Sequence, residues 1–144
     1  MADNVPTLVR TGQGTYAPSR AEQARSDETF NAWQQAVAPL GYSRWAETEQ
    51  AHARSARYSE AAARAFLSGD APPDLVTALR EVLAPTLVIA GAEDAIAGVG
   101  PVVAVADLFP HGRAAVIEAC GHTPWLEQPA SFREVVDPFL AQVG

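Results

Sequence analysis

Two residues of this chain pair chemical competence with a suggestive setting. Asp94 closes the stretch "PTLVIAGAED", just after a short apolar run, and His122 follows another, "AAVIEAC", in "CGHTPW". A carboxylate bonded to one imidazole nitrogen fixes the ring's tautomer and leaves the other nitrogen free as a base. In an open parallel sheet, functional groups gather beyond the carboxyl ends of the strands. If the two apolar runs are neighbouring strands, Asp94 and His122 meet there. The plainer reading of the same residues is a turn aspartate, whose side chain bonds nearby amides, and a loop histidine bonded to backbone.

The other reactive side chains offer less. Cys120 is the single cysteine, which excludes an internal disulfide and a cysteine-rich zinc site. It reads as a small buried hydrophobe. His52 and His111 read as surface or loop residues without metal-ligating partners, so neither a metal nor a cofactor is expected. Ser43, in "GYSRW", is the nearest imitation of a G-x-S-x-G nucleophile turn. Trp45 stands where the second glycine belongs and Pro39 interrupts the approach, so Ser43 reads as a helix cap.

The elements that must position these residues fall into three parts. Residues 1–20 read as a short strand, Val5–Val9, and a Gly-rich loop, "TGQGTYAP". Residues 21–80 are rich in Ala, Glu, Gln and Arg, and read as a block of helices. Phe30, Trp33 and Val37 lie at helical spacing until "APLGY" breaks the pattern, and Ser43, Ser59 and Asp74 are expected to open the helices that follow. Residues 81–144 alternate: strand "PTLVIAG", helix "GPVVAVADLFP", strand "AAVIEAC", and a final amphipathic helix. That last helix carries Phe132, Val135, Val136, Phe139, Leu140 and Val143 on one stripe, with Pro138 inside it expected to kink or weaken it near Glu134. Strand, helix, strand in this spacing implies a right-handed parallel crossover.

Composition narrows the partners. The chain has 144 residues, a net charge of −7, and 48% hydrophobic content. That is one globular domain's worth of chain. All its basic residues are Arg and none forms a run, which argues against nucleic acid and anionic membrane as partners. No apolar stretch is long enough to span a bilayer, and "MADNVPTLVR" lacks the pattern of a signal peptide. A cytoplasmic protein is expected.

From Pro85 onward the chain resembles the C-terminal part of an α/β-hydrolase. The matching pieces are "PTLVIAGAED", "DLFPHGRAAVIEACGHTPWLEQPASF" and "VVDPFL". In that family G-x-x-D supplies the triad acid, Gly-His supplies the base, and E-x-P leads into the last helix. Gly91 with Asp94, Gly121 with His122, and Glu127 with Pro129 match in order and spacing. Upstream, "LVRTGQGTYAPSRAEQARSDETFNAW" is similar to the strand and loop that lead into the family's helical lid, and "YSRWAETEQAHA" and "RYSEAAARAF" resemble lid helices. The resemblance implies a partial α/β-hydrolase sheet of about three parallel strands with an inserted lid. It implies hydrolysis of an ester- or amide-type bond in a small molecule, with Asp94 as acid and His122 as base. Trp125 and Trp45 are the substrate-wall candidates. The family's nucleophile motif G-x-S-x-G and its oxyanion loop, which lie upstream of the lid, have no counterpart in these residues. A truncated hydrolase, inactive by itself and needing a nucleophile-bearing half, is therefore expected. The alternatives are a non-catalytic binding or interaction module and a remnant without function. With half a sheet to cover, a homo-oligomer is also expected.

Overall fold

The computed structural model describes residues 26–143, so the expected strand Val5–Val9 and its Gly-rich loop lie outside the described residues. The chain divides into two compact units. One holds Ala51–Asp70 with the described residues up to Ala38, and the other holds Pro39–Gln50 and the described residues from Ala71 onward. The helical block expected over residues 21–80 is thus shared between them.

In the first unit, helix α1 (Asp27–Val37) opens on Ser26, whose Oγ accepts from the Thr29 amide. Asp27 and Glu28 in its first turn complement the helix dipole. Phe30 is buried, 6.0 Å from the Trp33 ring and edge-on to Tyr58 at 6.4 Å. Asn31 exchanges two hydrogen bonds with the backbone of Tyr58, at 2.7 and 2.9 Å. The Glu60 amide donates to Asp27 at 2.7 Å. These bonds join α1 to the start of the helix Glu60–Ser68, which Ser59 caps as expected.

Helix α2 (Glu47–Ser55) begins later than the sequence suggested, and Ser43 is not its cap. Glu49 reaches back instead, accepting from the Ala46 amide at 3.0 Å and from Arg44 Nε at 3.0 Å. A carboxylate at the third helical position thus bonds the amide just before the helix, the reach-back half of a capping box. With Glu60–Ser68 as α3, the next helix is α4 (Leu75–Arg80); Asp74 precedes it without making a side-chain cap bond.

The second unit holds the sheet. Strand β1 (Thr86–Gly91) pairs in parallel with β2 (Gly112–Ile117), in register from Thr86 opposite Gly112 to Gly91 opposite Ile117. Two strands are therefore present among the described residues. The crossover between them carries α5 (Val99–Val105) and a 3-10 turn, Ala106–Leu108. Strand β2 begins and ends earlier than "AAVIEAC" implied. It stops because Ala119 has φ of 49°, a left-handed backbone that no strand can continue through. Ala90, Ala106, Ile117 and Cys120 form the small core here.

A four-residue helix, α6 (Pro124–Glu127), leads into α7 (Pro129–Val143). Pro138 does not interrupt α7. Both Pro138 and Glu134 are exposed, so water can satisfy the Glu134 carbonyl that proline deprives of its donor. Phe132, Val135, Val136 and Phe139 are half-buried, whereas Leu140 and Val143 remain exposed. Among the described residues, no helix is long and apolar enough to cross a membrane.

Candidate active site

Parallel pairing of β1 with β2 brings their two carboxyl-end loops side by side, and further bonds zip the loops together. The Ala92 amide donates to Ile117 O at 2.8 Å, and the Glu93 amide to Cys120 O at 2.8 Å. Contact is closest at the glycines. A Cβ on Gly91 would lie 2.0 Å from Gly121 O, and one on Gly121 would lie 2.6 Å from Gly41 O. Only glycine permits backbones to approach this closely.

Across this junction, His122 Nδ1 lies 2.9 Å from Asp94 Oδ2. The other carboxylate oxygen, Oδ1, accepts from the Ile96 and Ala97 amides at 2.9 and 3.0 Å. Asp94 is buried, and burial by itself would raise its pKa. The bonds from His122, Ala97 and Ile96 outweigh that effect and hold the carboxyl below its ordinary range. An ionised Asp94 requires a proton on His122 Nδ1 for the bond. The ring's Nε2 makes no hydrogen bond among the described residues, and the His122 side chain is 48% exposed. The pair therefore presents a free imidazole nitrogen, backed by a fixed carboxylate.

His122 and Asp94 line a cavity of about 360 Å³, together with apolar side chains that include Leu87, Ile89, Val102, Trp125 and Phe132. Trp125 is exposed and edge-on to Phe132 at 6.4 Å. Trp45 is not part of this lining; its ring lies against Tyr42, 5.4 Å away. Of the two candidate substrate walls, the structure brings only Trp125 to the cavity.

Ser43 has other duties. Its Oγ donates to Ala119 O at 2.9 Å, and its amide donates to Glu127 Oε2 at 2.7 Å. Cys120 is fully buried, and that burial, with the nearby carboxylates of Glu127, Asp94 and Glu93, pushes its thiol up to about 11. It is neither accessible nor ionised near neutrality. Among the described residues, no cluster of His, Cys, Asp and Glu could hold a metal ion.

Glu127 is the site residue whose role the sequence reading did not anticipate. It is 4% exposed, yet its carboxylate accepts from the Gly121 amide, the Thr123 amide and hydroxyl, and the Ser43 amide. Burial alone would raise its pKa, but the Ser43, Gly121 and Thr123 bonds bring it below the usual value. A local signal existed: Pro124 marks the first position of a helix after Thr123, so a glutamate one turn on can reach back.

No family model matches the chain, and no curated protein matches it. Solved structures do. A Burkholderia cenocepacia protein assigned as an aryl esterase is 25% identical, with a TM-score of 0.67 over 83% of this chain and 45% of that one. A thermophilic esterase is 21% identical, with a TM-score of 0.63 over 89% of this chain and 52% of that one. An esterase from Thermogutta terrifontis, solved with malate, is 34% identical over 49% of this chain and 26% of its own, with a TM-score of 0.46. The likeness in fold rests on the first two. The chain spans about half the length of each of those two proteins.

Proposed function

We propose, for a chain that is α/β-hydrolase-like in fold, that Asp94 and His122 act as orienting acid and general base in ester hydrolysis, with a nucleophile supplied from outside these 144 residues. The observation that carries this reading is the 2.9 Å bond between His122 Nδ1 and Asp94 Oδ2, with Nε2 left free beside an apolar cavity. In the step envisaged, Nε2 takes the proton of an attacking hydroxyl while its oxygen adds to the ester carbonyl. Asp94 stabilises the imidazolium that results, and Nε2 returns the proton to the leaving alcohol. Water then repeats the sequence on the acyl intermediate. An aryl ester is the first substrate to try, because one of the esterases of like fold is assigned to that class.

By itself the chain is not expected to form a covalent acyl intermediate. It contains no G-x-S-x-G, and Ser43 Oγ bonds a carbonyl rather than His122. Intact mass after treatment with a fluorophosphonate probe should show no adduct. A stoichiometric adduct lost in His122→Ala would make the isolated chain an enzyme and overturn this part. The base assignment is tested by supplying the nucleophile-bearing half of an esterase and assaying p-nitrophenyl acetate. His122→Ala and Asp94→Asn should then each lower kcat by on the order of 10⁴ or more. Full activity in reconstituted His122→Ala would refute the assignment.

A further inference from the structure

Two of the four groups that bond Glu127 flank His122 directly, and this carries an inference about how the base is held. The donors are the amide before His122, at Gly121 (3.0 and 3.1 Å), and the amide after it, at Thr123 (3.3 Å). The third is the Thr123 hydroxyl at 3.1 Å, and the fourth is the Ser43 amide at 2.7 Å, from a segment far away in sequence. In that same segment Gly41 O accepts from His122's own amide at 2.7 Å. The backbone on both sides of His122 is thus fixed to one carboxylate, and His122 itself to the segment that carboxylate anchors.

We propose that Glu127 is the positioning residue for His122, clamping the Gly121–Thr123 backbone against the Gly41–Ser43 segment so that the ring meets Asp94 through Nδ1. The functional weight of this inference rests on the reading of His122 as a base, but the clamp itself does not. All four partners are donors, so the site requires a group that only accepts. Ionised carboxylate satisfies that, whereas an amide of the same shape turns an NH₂ toward at least one N–H. A buried group left facing another donor forfeits its bond and keeps its desolvation cost. The loop would relax at its weakest-held point, and the His122 ring would lose its orientation toward Asp94.

The test is ¹⁵N NMR of the imidazole nitrogens in the full chain, at a pH where His122 is neutral. Wild type should carry its proton on Nδ1. Glu127→Gln should lose the Nδ1–H tautomer as the dominant form. Glu49→Gln is the control: Glu49 is also a buried carboxylate, bonded to Arg44 and Ala46. Its loss should lower the urea midpoint and leave the His122 tautomer unchanged. A folded Glu127→Gln protein that keeps the wild-type tautomer would overturn the proposal. If that variant does not fold, amide exchange in wild type decides. The Gly121, Thr123 and Ser43 amides should be protected well beyond the amide of Glu118, an exposed residue, and exchange as fast as that of Glu118 would overturn it. Failure of His122→Ala to reduce reconstituted activity would remove the catalytic reading while leaving a tautomer shift in Glu127→Gln intact, so the two ideas fail separately.

Discussion

Replacing Gly91 by alanine should cost this protein a large part of its stability, and the cost follows from one close approach. The new Cβ would sit 2.0 Å from Gly121 O, 2.4 Å from Cys120 O and 2.8 Å from Cys120 C, where ordinary contact begins near 3.4 Å. All three obstacles are backbone atoms, so no rotamer change relieves them. The loop before His122 must retreat by more than about 1 Å, which is overpacking of the severe kind, typically about 1–3 kcal/mol. Retreat also strains the Glu93-to-Cys120 bond, the His122-to-Gly41 bond and the bonds to Glu127, at about 1 kcal/mol for each one lost. A loss of roughly 3–5 kcal/mol is expected. With a urea slope near 2 kcal/mol per molar, the midpoint should fall by about 2 M. Gly100→Ala is the internal comparison. A Cβ there meets no heavy atom within 4 Å beyond its chain neighbours, and Gly100 lies in the first turn of α5, just before Pro101, whose ring disfavours helical backbone in a preceding residue that carries a Cβ. Its midpoint should fall far less than that of Gly91→Ala. Urea melts followed by circular dichroism decide the matter: a Gly91→Ala midpoint matching wild type would refute the reasoning from close approach.

Stability should also depend on acid in a specified direction. Asp94, Glu127 and Glu49 all have folded-state pKa values below their ordinary ones. Their contribution is complete above the unfolded carboxylate range of about 4 and is lost as pH falls through the lower folded values. Urea midpoints should therefore be flat from pH 7 to about 5 and drop below about 4, with a smaller drop in Asp94→Asn. Cys120, buried with its thiol raised to about 11, should resist Ellman's reagent at pH 8 in the native protein and react stoichiometrically in urea. Ser26→Ala should cost about 1 kcal/mol in a urea melt, because the Thr29 amide loses its cap. Ala119→Gly should be neutral or stabilising by up to ~1 kcal/mol, because it relieves a left-handed alanine.

What the sequence made legible was whatever its local pattern encodes. The apolar run "TLVIAG" reads as a strand because continuous apolar residues suit a parallel sheet, and Thr86–Gly91 is one. Ser26 and Ser59 stand at helix entrances, and of the two only Ser59 opens an evident helical run in the sequence. Boundaries failed where tertiary contacts outbid local preference. Strand β2 ends at Ile117 rather than Cys120, since the Ala119 conformation is imposed from outside: its carbonyl is held by Ser43 Oγ at 2.9 Å and by Gln128 Nε2 at 2.7 Å. Nothing in "AAVIEAC" announces those two partners. For Trp45, nothing in the sequence says which way an aromatic ring faces; it lies against Tyr42 and outside the lining of the Asp94–His122 cavity.

The Asp94–His122 pair and the Glu127 clamp differ in legibility for the same physical reason. Each loop residue stands after its own strand, so once two strands are taken as parallel neighbours, the topology carries Asp94 to His122 without further information. The clamp has no such rule behind it. Ser43 is bonded to Glu127 from a segment 84 residues earlier in the chain, and a serine before a helical pattern is read as a cap because that is its commonest local use. Here the helix begins at Glu47, beyond the reach of a Ser43 cap, and its entrance amide at Ala46 is bonded by Glu49; Ser43 gives its amide to Glu127 and its hydroxyl to Ala119. The exchange leaves the Ser43 hydroxyl pointed at a carbonyl rather than at an imidazole. Under the proposed reading of His122 as a base, the contacts that hold its loop also commit the Ser43 hydroxyl to Ala119.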